Sequence, residues 1–234
     1  MVLDKIKEKL KPSKSKKCEN PLEEYFYNNN NKHVDKWTHL FEIYHKHFNR
    51  FRNKEITVVE FGVFKGGSLQ MWKNYFGKKA KIIGVDIDPE CEKLVEDQIE
   101  IYIGDQEDRN FLKNLMEKIG PIDIVIEDGG HRMKQQIHTF EEVWPCMKDE
   151  GVFLVEDVIT SYWERYGGGY KRKDTFIEYS KNLIDSLNAG WSETDDLKIN
   201  YYTETIKEIS IYVSVIAFTK GQFKSVKPIT SGEI

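Results

Sequence analysis

The chain has little cysteine: Cys18, Cys91 and Cys146 are the three among 234 residues. They lie far apart and share no metal-ligand spacing. Neither a disulfide framework nor a thiolate metal centre is expected, and free thiols in a cytoplasmic protein are the simple reading. No apolar run approaches the roughly 20 residues of a membrane-spanning helix, so no membrane partner is expected. The N-terminus lacks the apolar region of a secretory leader; it is lysine-rich and broken by Pro12. A surplus of positive charge is missing too. Lys and Arg number 35 against 39 Asp and Glu, a net charge of −4, so the whole chain has no electrostatic pull on nucleic acid. No internal repeat is present. The 39% hydrophobic and 13% aromatic content suffices for a core, and the length suits one domain with extensions.

What the chain does contain is a pair of short acidic stretches, each after an apolar run. Ile122-Asp123-Ile124-Val125-Ile126 leads into Glu127-Asp128-Gly129-Gly130-His131, and Gly151-Val152-Phe153-Leu154-Val155 leads into Glu156-Asp157. Short continuous apolar runs mark parallel strands buried on both faces. Polar groups just past them stand at the carboxyl edge of the sheet, where open α/β folds bind ligands. Asp128, Glu156 and Asp157 are then hard oxygen donors with no thiol among them, suited to Mg2+ or Mn2+. His131, close by, is a candidate general base. The alternatives are acids that are merely solvated and a histidine making a structural hydrogen bond at a helix start. The coincidence of two such strand ends favours a site.

Residues 1–32 read as a solvated tail, with seven lysines in the first 17 positions and an Asn28–Asn31 run at its end. Residues 33–222 form the domain and 223–234 a second tail. Val34 to Phe51 predicts a helix. Val34, Trp37, Leu40, Phe41, Tyr44, Phe48 and Phe51 recur at three- and four-residue steps, which leaves Lys36 and His39 on its surface. A first strand over 56–61 runs through Gly62-Val63-Phe64-Lys65-Gly66-Gly67-Ser68 into a helix from Leu69 to Phe76. Strand, glycine loop and helix make a nucleotide-type turn. It is not the dinucleotide fingerprint: Phe64 stands where a second glycine would admit a pyrophosphate, and Glu60 at the strand tip would repel a diphosphate. S-adenosylmethionine, with its sulfonium and ammonium, has the matching sign.

A second strand over 81–88 carries Asp86, 24 positions after Gly62 and near the roughly 20-residue offset of a ribose-binding carboxylate. A third, over 99–103, ends in Gly104-Asp105-Gln106, placed to face an adenine ring. Helices are expected over 110–119, 134–147 with Pro145 ending it, and 174–187. Between the last two, Tyr162, Trp163, Tyr166 and Tyr170 surround the Gly167–Gly169 run. Three glycines predict mobility, and flat aromatic faces beside a site can close over a sugar or other polyol; equally, the aromatics can pack a surface crossover on the core. Residues 196–220 read as β-rich, with 206–211 and 212–220 able to pair as a hairpin.

This order predicts an α/β fold of the Rossmann-like class I methyltransferase type: a mostly parallel seven-stranded sheet, helices on both faces, and a C-terminal antiparallel hairpin. The motifs Val59-Glu60-Phe61-Gly62-Val63-Phe64-Lys65-Gly66-Gly67-Ser68-Leu69, Gly84-Val85-Asp86-Ile87-Asp88, Gly104-Asp105-Gln106, Asp128-Gly129-Gly130-His131 and Val155-Glu156-Asp157 go further. With them, and with Asp35-Lys36-Trp37-Thr38-His39 as an N-terminal motif, the chain resembles the metal-dependent sugar O-methyltransferases of macrolide biosynthesis. The resemblance implies that Asp128, Glu156 and Asp157 hold Mg2+ or Mn2+, with His131 as base and Asp128 beside it in the catalytic set. It implies that Glu60, Gly62, Gly66, Gly67, Ser68, Asp86, Gly104, Asp105 and Gln106 bind S-adenosylmethionine.

The acceptor implied is a small-molecule sugar, either nucleotide-activated or part of a natural product or polysaccharide. Glu127 departs from the Asp usual in that family, and the chain is shorter than the macrolide enzymes. Two alternatives stand beside this reading: methylation of a non-sugar small molecule, and a non-catalytic cofactor-binding partner of another enzyme. Phe64 and Glu60 speak against a nicotinamide oxidoreductase, and the missing basic surplus against a nucleic-acid methyltransferase. A homo-oligomer is left open.

Overall fold

The computed structural model describes residues 17–222 and 228–232. Seven strands run as β1 (Thr57–Phe61), β2 (Lys81–Asp86), β3 (Ile99–Ile103), β4 (Ile122–Glu127), β5 (Met147–Val155), β6 (Ile206–Tyr212) and β7 (Val215–Lys220). They form one sheet in the order β3-β2-β1-β4-β5-β7-β6. The first five are parallel; β7 pairs antiparallel with both β5 and β6. The strand order reverses between β1 and β4, and the crevice at the carboxyl ends of these two strands is where this architecture binds ligands.

Among the described residues, seven helices flank the sheet: α1 (Pro21–Tyr27), α2 (Leu40–Phe48), α3 (Gly67–Phe76), α4 (Arg109–Ile119), α5 (Met133–Val143), α6 (Phe176–Asn188) and α7 (Tyr201–Thr205). Side chains alternate across a strand, and the central strands feed two cores in turn. Val58, Ile82 and Leu154 join Leu40, Phe41, Tyr44, Phe48, Trp72 and Phe76 from α2 and α3. Val59, Ile83 and Phe153 join Leu112, Phe140, Val143, Phe176 and Leu183 from α4, α5 and α6. Continuous apolar runs were therefore the right signature for β1, β2, β4 and β5. Among the described residues, no helix is long and apolar enough to cross a membrane.

The helix expected over 34–51 is shorter than its periodicity. It begins at Leu40, and 49–51 continue as a 3-10 turn. Leu40, Phe41, Tyr44 and Phe48 face inward as expected, but Trp37 is 51% exposed. Residues 32–39 instead form an irregular strap across the carboxyl edge of the sheet. The solvated tail expected over 1–32 also divides. Residues 1–16 lie outside the described residues, while α1 packs onto the domain. Asn20 caps α1 by accepting from Leu22 N–H and donates to the Phe41 carbonyl at 2.8 Å, and Leu22 is fully buried. Of the tail expected over 223–234, residues 223–227 and 233–234 lie outside the described residues. In the stretch read as β-rich, α7 precedes the hairpin, which turns at Val213 and Ser214.

Candidate active site

A cleft of about 410 Å3 opens at the β1/β4 crevice, a size suited to a small ligand. Of the residues assigned to a cofactor, Gly62, Gly67, Ser68, Asp86, Gly104, Asp105 and Gln106 line it. Asp86 already organises the glycine turn: one carboxylate oxygen accepts from Val63 N at 2.7 Å and Phe64 N at 3.1 Å, and the other from Asp88 N at 2.9 Å. Burial pushes the Asp86 carboxyl up, but these N–H donors outweigh it and hold it below the usual range. Gly62 has φ +97°, and a Cβ there would lie 2.0 Å from the Asp128 carbonyl oxygen. Only glycine lets the β1 turn and the β4 loop approach so closely.

Glu60 and Gly66 are placed otherwise. Glu60 is fully buried and accepts from Ser68 Oγ at 2.7 Å and Trp72 Nε1 at 3.0 Å. It turns into the protein rather than towards the cleft. Gly66 starts α3 in the left-handed region and packs beside Lys32 and Leu94. Gln106 is tied to the acidic loop: its Nε2 donates to Glu127 Oε1 at 2.8 Å, and its Oε1 accepts from Gly130 N at 3.2 Å. Glu127, the departure from the family pattern, is thus a buried support of that loop, and burial raises its pKa.

The acids after β4 and β5 meet as the sequence implied, with one rearrangement. Asp128, His131 and Asp157 offer donor atoms within 4.8 Å of one another. His131 Nε2 stands 3.9 Å from Asp128 Oδ1 and 3.6 Å from Asp157 Oδ2. Both His131 (φ 55°) and Asp157 (φ 49°) hold left-handed backbone conformations. Such strain, of order 1–3 kcal/mol per residue, persists where the surroundings fix it and collects at functional sites.

Glu156 sits next to this trio in a different set of contacts. Tyr44 donates to one of its oxygens, and Lys36 Nζ donates to both at 2.9 Å. Lys36 also bonds Asp128 and lies 4.0 Å from Glu60 Oε1. Burial alone would discharge Lys36, but Asp128 and Glu156 outweigh it and keep the ammonium charged. Burial, reinforced by Asp128, raises Glu156 to about 8, and burial raises Asp157 as well.

Lys36 was expected on a helix surface; its side chain is 3% exposed and stands among the carboxylates. Periodicity could not reveal this. The one pointer was its place in the Asp35–His39 motif. Tyr44, read only as a core residue of α2, was missed in the same way.

Three acids, Glu60, Asp128 and Glu156, thus share one buried ammonium, and Asp157 stands beside them across His131. A divalent cation would supply charge to this cluster: its carboxylate oxygens are a ligand set for Mg2+ or Mn2+, with the His131 imidazole beside them.

The aromatic stretch is wound into two 3-10 turns, Val158–Tyr162 and Glu164–Tyr166, with successive backbone bonds through Gly169. Gly168, within the run expected to be mobile, serves close packing: a Cβ there would lie 2.4 Å from the Thr160 carbonyl oxygen. Tyr166 stands with its ring 6.4 Å from that of His131, and Trp163 lies 5.8 Å beyond. Tyr162 and Tyr170 are exposed.

A parallel sheet with a ligand cleft at its order reversal, an antiparallel closing hairpin and an acid–histidine cluster beside the cleft define a Rossmann-like methyltransferase fold. Residues 59–158 match the family model described as "Methyltransferase domain". More particularly, the chain is similar to O-methyltransferases named for rhamnosyl tetracenomycin-C and macrolide substrates. It is 38% identical over 164 residues to the 8-demethyl-8-alpha-L-rhamnosyl tetracenomycin-C 2'-O-methyltransferase of Streptomyces olivaceus, covering 66% of this chain and 43% of that one. It is 36% identical over 189 residues to the demethylmacrocin O-methyltransferase of Streptomyces fradiae, covering 76% and 47%. The solved structure of MycE methyltransferase from the mycinamycin biosynthetic pathway, in complex with Mg and SAH, superposes with a TM-score of 0.76 at 29% identity, covering 89% of this chain and 56% of that one. This chain therefore spans about half the length of these relatives.

Proposed function

We propose that this chain is a divalent-metal-dependent O-methyltransferase that moves the methyl group of S-adenosylmethionine to a hydroxyl of a small-molecule sugar. The observation that carries the reading is the meeting of Asp128, His131 and Asp157, donor atoms within 4.8 Å, beside the cleft that begins at the β1 glycine turn. The rhamnosyl tetracenomycin-C and demethylmacrocin O-methyltransferases it resembles, and a MycE complex with Mg, SAH and mycinamycin VI, support it. When bound, S-adenosylmethionine supplies an electrophilic sulfonium methyl, and the divalent ion supplies Lewis acidity that makes a sugar hydroxyl easier to deprotonate.

The chain's own residues do the rest. Asp86, Gly104 and Asp105 line the end of the cleft where an adenosine fits, and Asp86 has the position of a ribose acceptor. Asp128 and Asp157 would hold the metal, with Glu156, whose oxygens also accept from Lys36, as the third carboxylate of the set. His131 Nε2 takes the hydroxyl proton as the methyl is transferred. At 3.6–3.9 Å from the acids it makes no hydrogen bond to them that would block it as an acceptor. Tyr166 and Trp163 offer flat faces to a sugar ring beside His131. A nucleotide-activated sugar, a glycosylated natural product and a polysaccharide unit all present the required hydroxyl, and a homo-oligomer is compatible with the fold.

The test is an acceptor screen over nucleotide sugars and glycosylated polyketides with methyl-labelled S-adenosylmethionine, with chelator and with added Mg2+. Label transfer to a sugar hydroxyl that requires the metal is expected. Transfer that is unaffected by chelator removes the metal from the reading, and transfer only to non-sugar acceptors removes the sugar.

A further inference from the structure

The strap formed by residues 32–39 lies outside every helix and strand. Among the described residues, the backbone of 33–36 makes no hydrogen bond to other backbone. Segments so poorly bonded open locally at low cost. Yet this one walls the cleft, which His33, Val34, Asp35 and Lys36 line. It also lies hard against the glycine turn: a Cβ on Gly67 would fall 2.0 Å from the His33 carbonyl oxygen. Something other than secondary structure holds it there.

Two lysines do so. At one end, Lys32 Nζ donates to the Leu94 carbonyl at 3.2 Å and to Glu96 at 3.1 Å, with its side chain 28% exposed. At the other end, the Lys36 side chain is 3% exposed. Its ammonium reaches acids from three strand ends: Glu60 of β1, Asp128 after β4 and Glu156 after β5. A buried ammonium that loses such partners carries a large penalty, so this end of the strap is held far more firmly than its backbone implies. Lys36 also divides the oxygens of Asp128. Oδ2 accepts from Lys36, which leaves Oδ1 on the side of His131.

We propose that Lys36 is a positioning residue whose ammonium latches the strap across the cleft and aims Asp128, so that one side chain sets both the pocket wall and the acidic cluster. The inference rests on the reading of the cleft as the S-adenosylmethionine pocket. It gives the strap a defined role: cofactor is held by a wall fastened to the same carboxylates that meet the acceptor.

The experiment uses the full chain with chelator present, free and with S-adenosylhomocysteine, comparing the unaltered protein with Lys36→Met. Hydroxyl-radical footprinting read by mass spectrometry reports the exposure of strap side chains, and calorimetry reports ligand affinity. In Lys36→Met, Val34 and His39 should be labelled several-fold faster and S-adenosylhomocysteine should bind about tenfold more weakly, the weight of one charge-assisted hydrogen bond. Peptides from β1 and β4 should keep their protection. Unchanged labelling of the strap with affinity within about twofold overturns the latch.

Lys36→Met leaves carboxylates unpaired, so global stability also falls. The double variant Lys36→Met/Glu156→Gln relieves that charge. A strap that stays loose while the melting temperature recovers supports the latch; a strap whose protection returns with the melting temperature overturns it. Absence of S-adenosylhomocysteine binding by the unaltered chain would sink the pocket reading instead, while side-chain labelling in the free protein still decides the latch.

Discussion

Replacing Glu60 by Gln should change how stability depends on pH. Glu60 is fully buried, and its carboxyl is raised from 4.5 to about 7, first by burial and further by Asp128, against the pull of Lys36. A carboxyl whose folded pKa exceeds its unfolded one is neutral in both states at low pH and costs nothing there. As pH rises above 4.5 the unfolded chain ionises first, and the fold loses stability until the folded group ionises near 7. At about 1.4 kcal/mol per pH unit across that interval, the loss is on the order of 3 kcal/mol by about pH 8.

The amide cannot ionise and does not follow this course. Its oxygen can accept from Trp72 and its NH2 can face Ser68 much as a protonated carboxyl does, so Glu60→Gln starts close to the unaltered protein at low pH. Urea unfolding with chelator present, from about pH 4.5 to 8, measures the difference between the two proteins. That difference should move in favour of Glu60→Gln by roughly 2–3 kcal/mol over the range, and saturating Mg2+ should shrink it by offsetting Asp128. A difference that stays flat with pH would refute the assignment of a neutral, buried Glu60.

His131→Ala should lower kcat by about 10²–10⁴ while Mn2+ binding, followed by electron paramagnetic resonance, is largely kept; loss of both makes His131 chiefly a ligand. Asp157→Ala should weaken Mn2+ binding and lose activity in a way that higher metal concentration restores. Tyr166→Ala should raise KM for the acceptor and leave KM for S-adenosylmethionine unchanged, since its ring faces His131 rather than the glycine turn. Phe140→Ala should cost about 3–5 kcal/mol in urea unfolding, because its buried ring packs on Trp144, Phe153 and Phe218 at 4.8–5.1 Å.

Much of the frame was legible because it depends on local pattern. Apolar runs such as Ile122–Ile126 mark strands buried on both faces, and whatever follows them must stand at the sheet edge. Hence Asp86, Asp128 and Asp157 could be placed without coordinates. What was not legible depends on long-range pairing. The three- and four-residue steps from Val34 to Phe51 fit a helix throughout, but the pull of three strand ends on Lys36 draws the first residues into a strap.

Glu60 shows the same limit. Its position at a strand tip suggested a ligand, while Ser68 and Trp72 on the following helix claim both oxygens. Glycines misled for a related reason. Gly67 and Gly168 are small because a carbonyl from another segment passes close by, which sequence cannot distinguish from a need to bend or move. The start of α1 did carry its signals, Asn20 as cap and Pro21 in the first turn, but the surrounding charge and asparagine outweighed them.

The contacts that build the acidic cluster join residues very distant along the chain. Lys36 and Glu156 are 120 positions apart, Tyr44 and Glu156 112, and His39 meets the Val213 carbonyl across 174. Closing such loops is slow relative to forming helices, and it cannot begin on a nascent chain until the later partner has been synthesised. The strap must therefore wait, with Lys36 short of its Glu156 partner, until β5 has emerged, and the hairpin turn beside it arrives later still. During synthesis the glycine turn and β1–β4 can assemble well before the cluster does. Cofactor-binding surface is then expected to appear earlier in the life of the polypeptide than the groups that act on the acceptor.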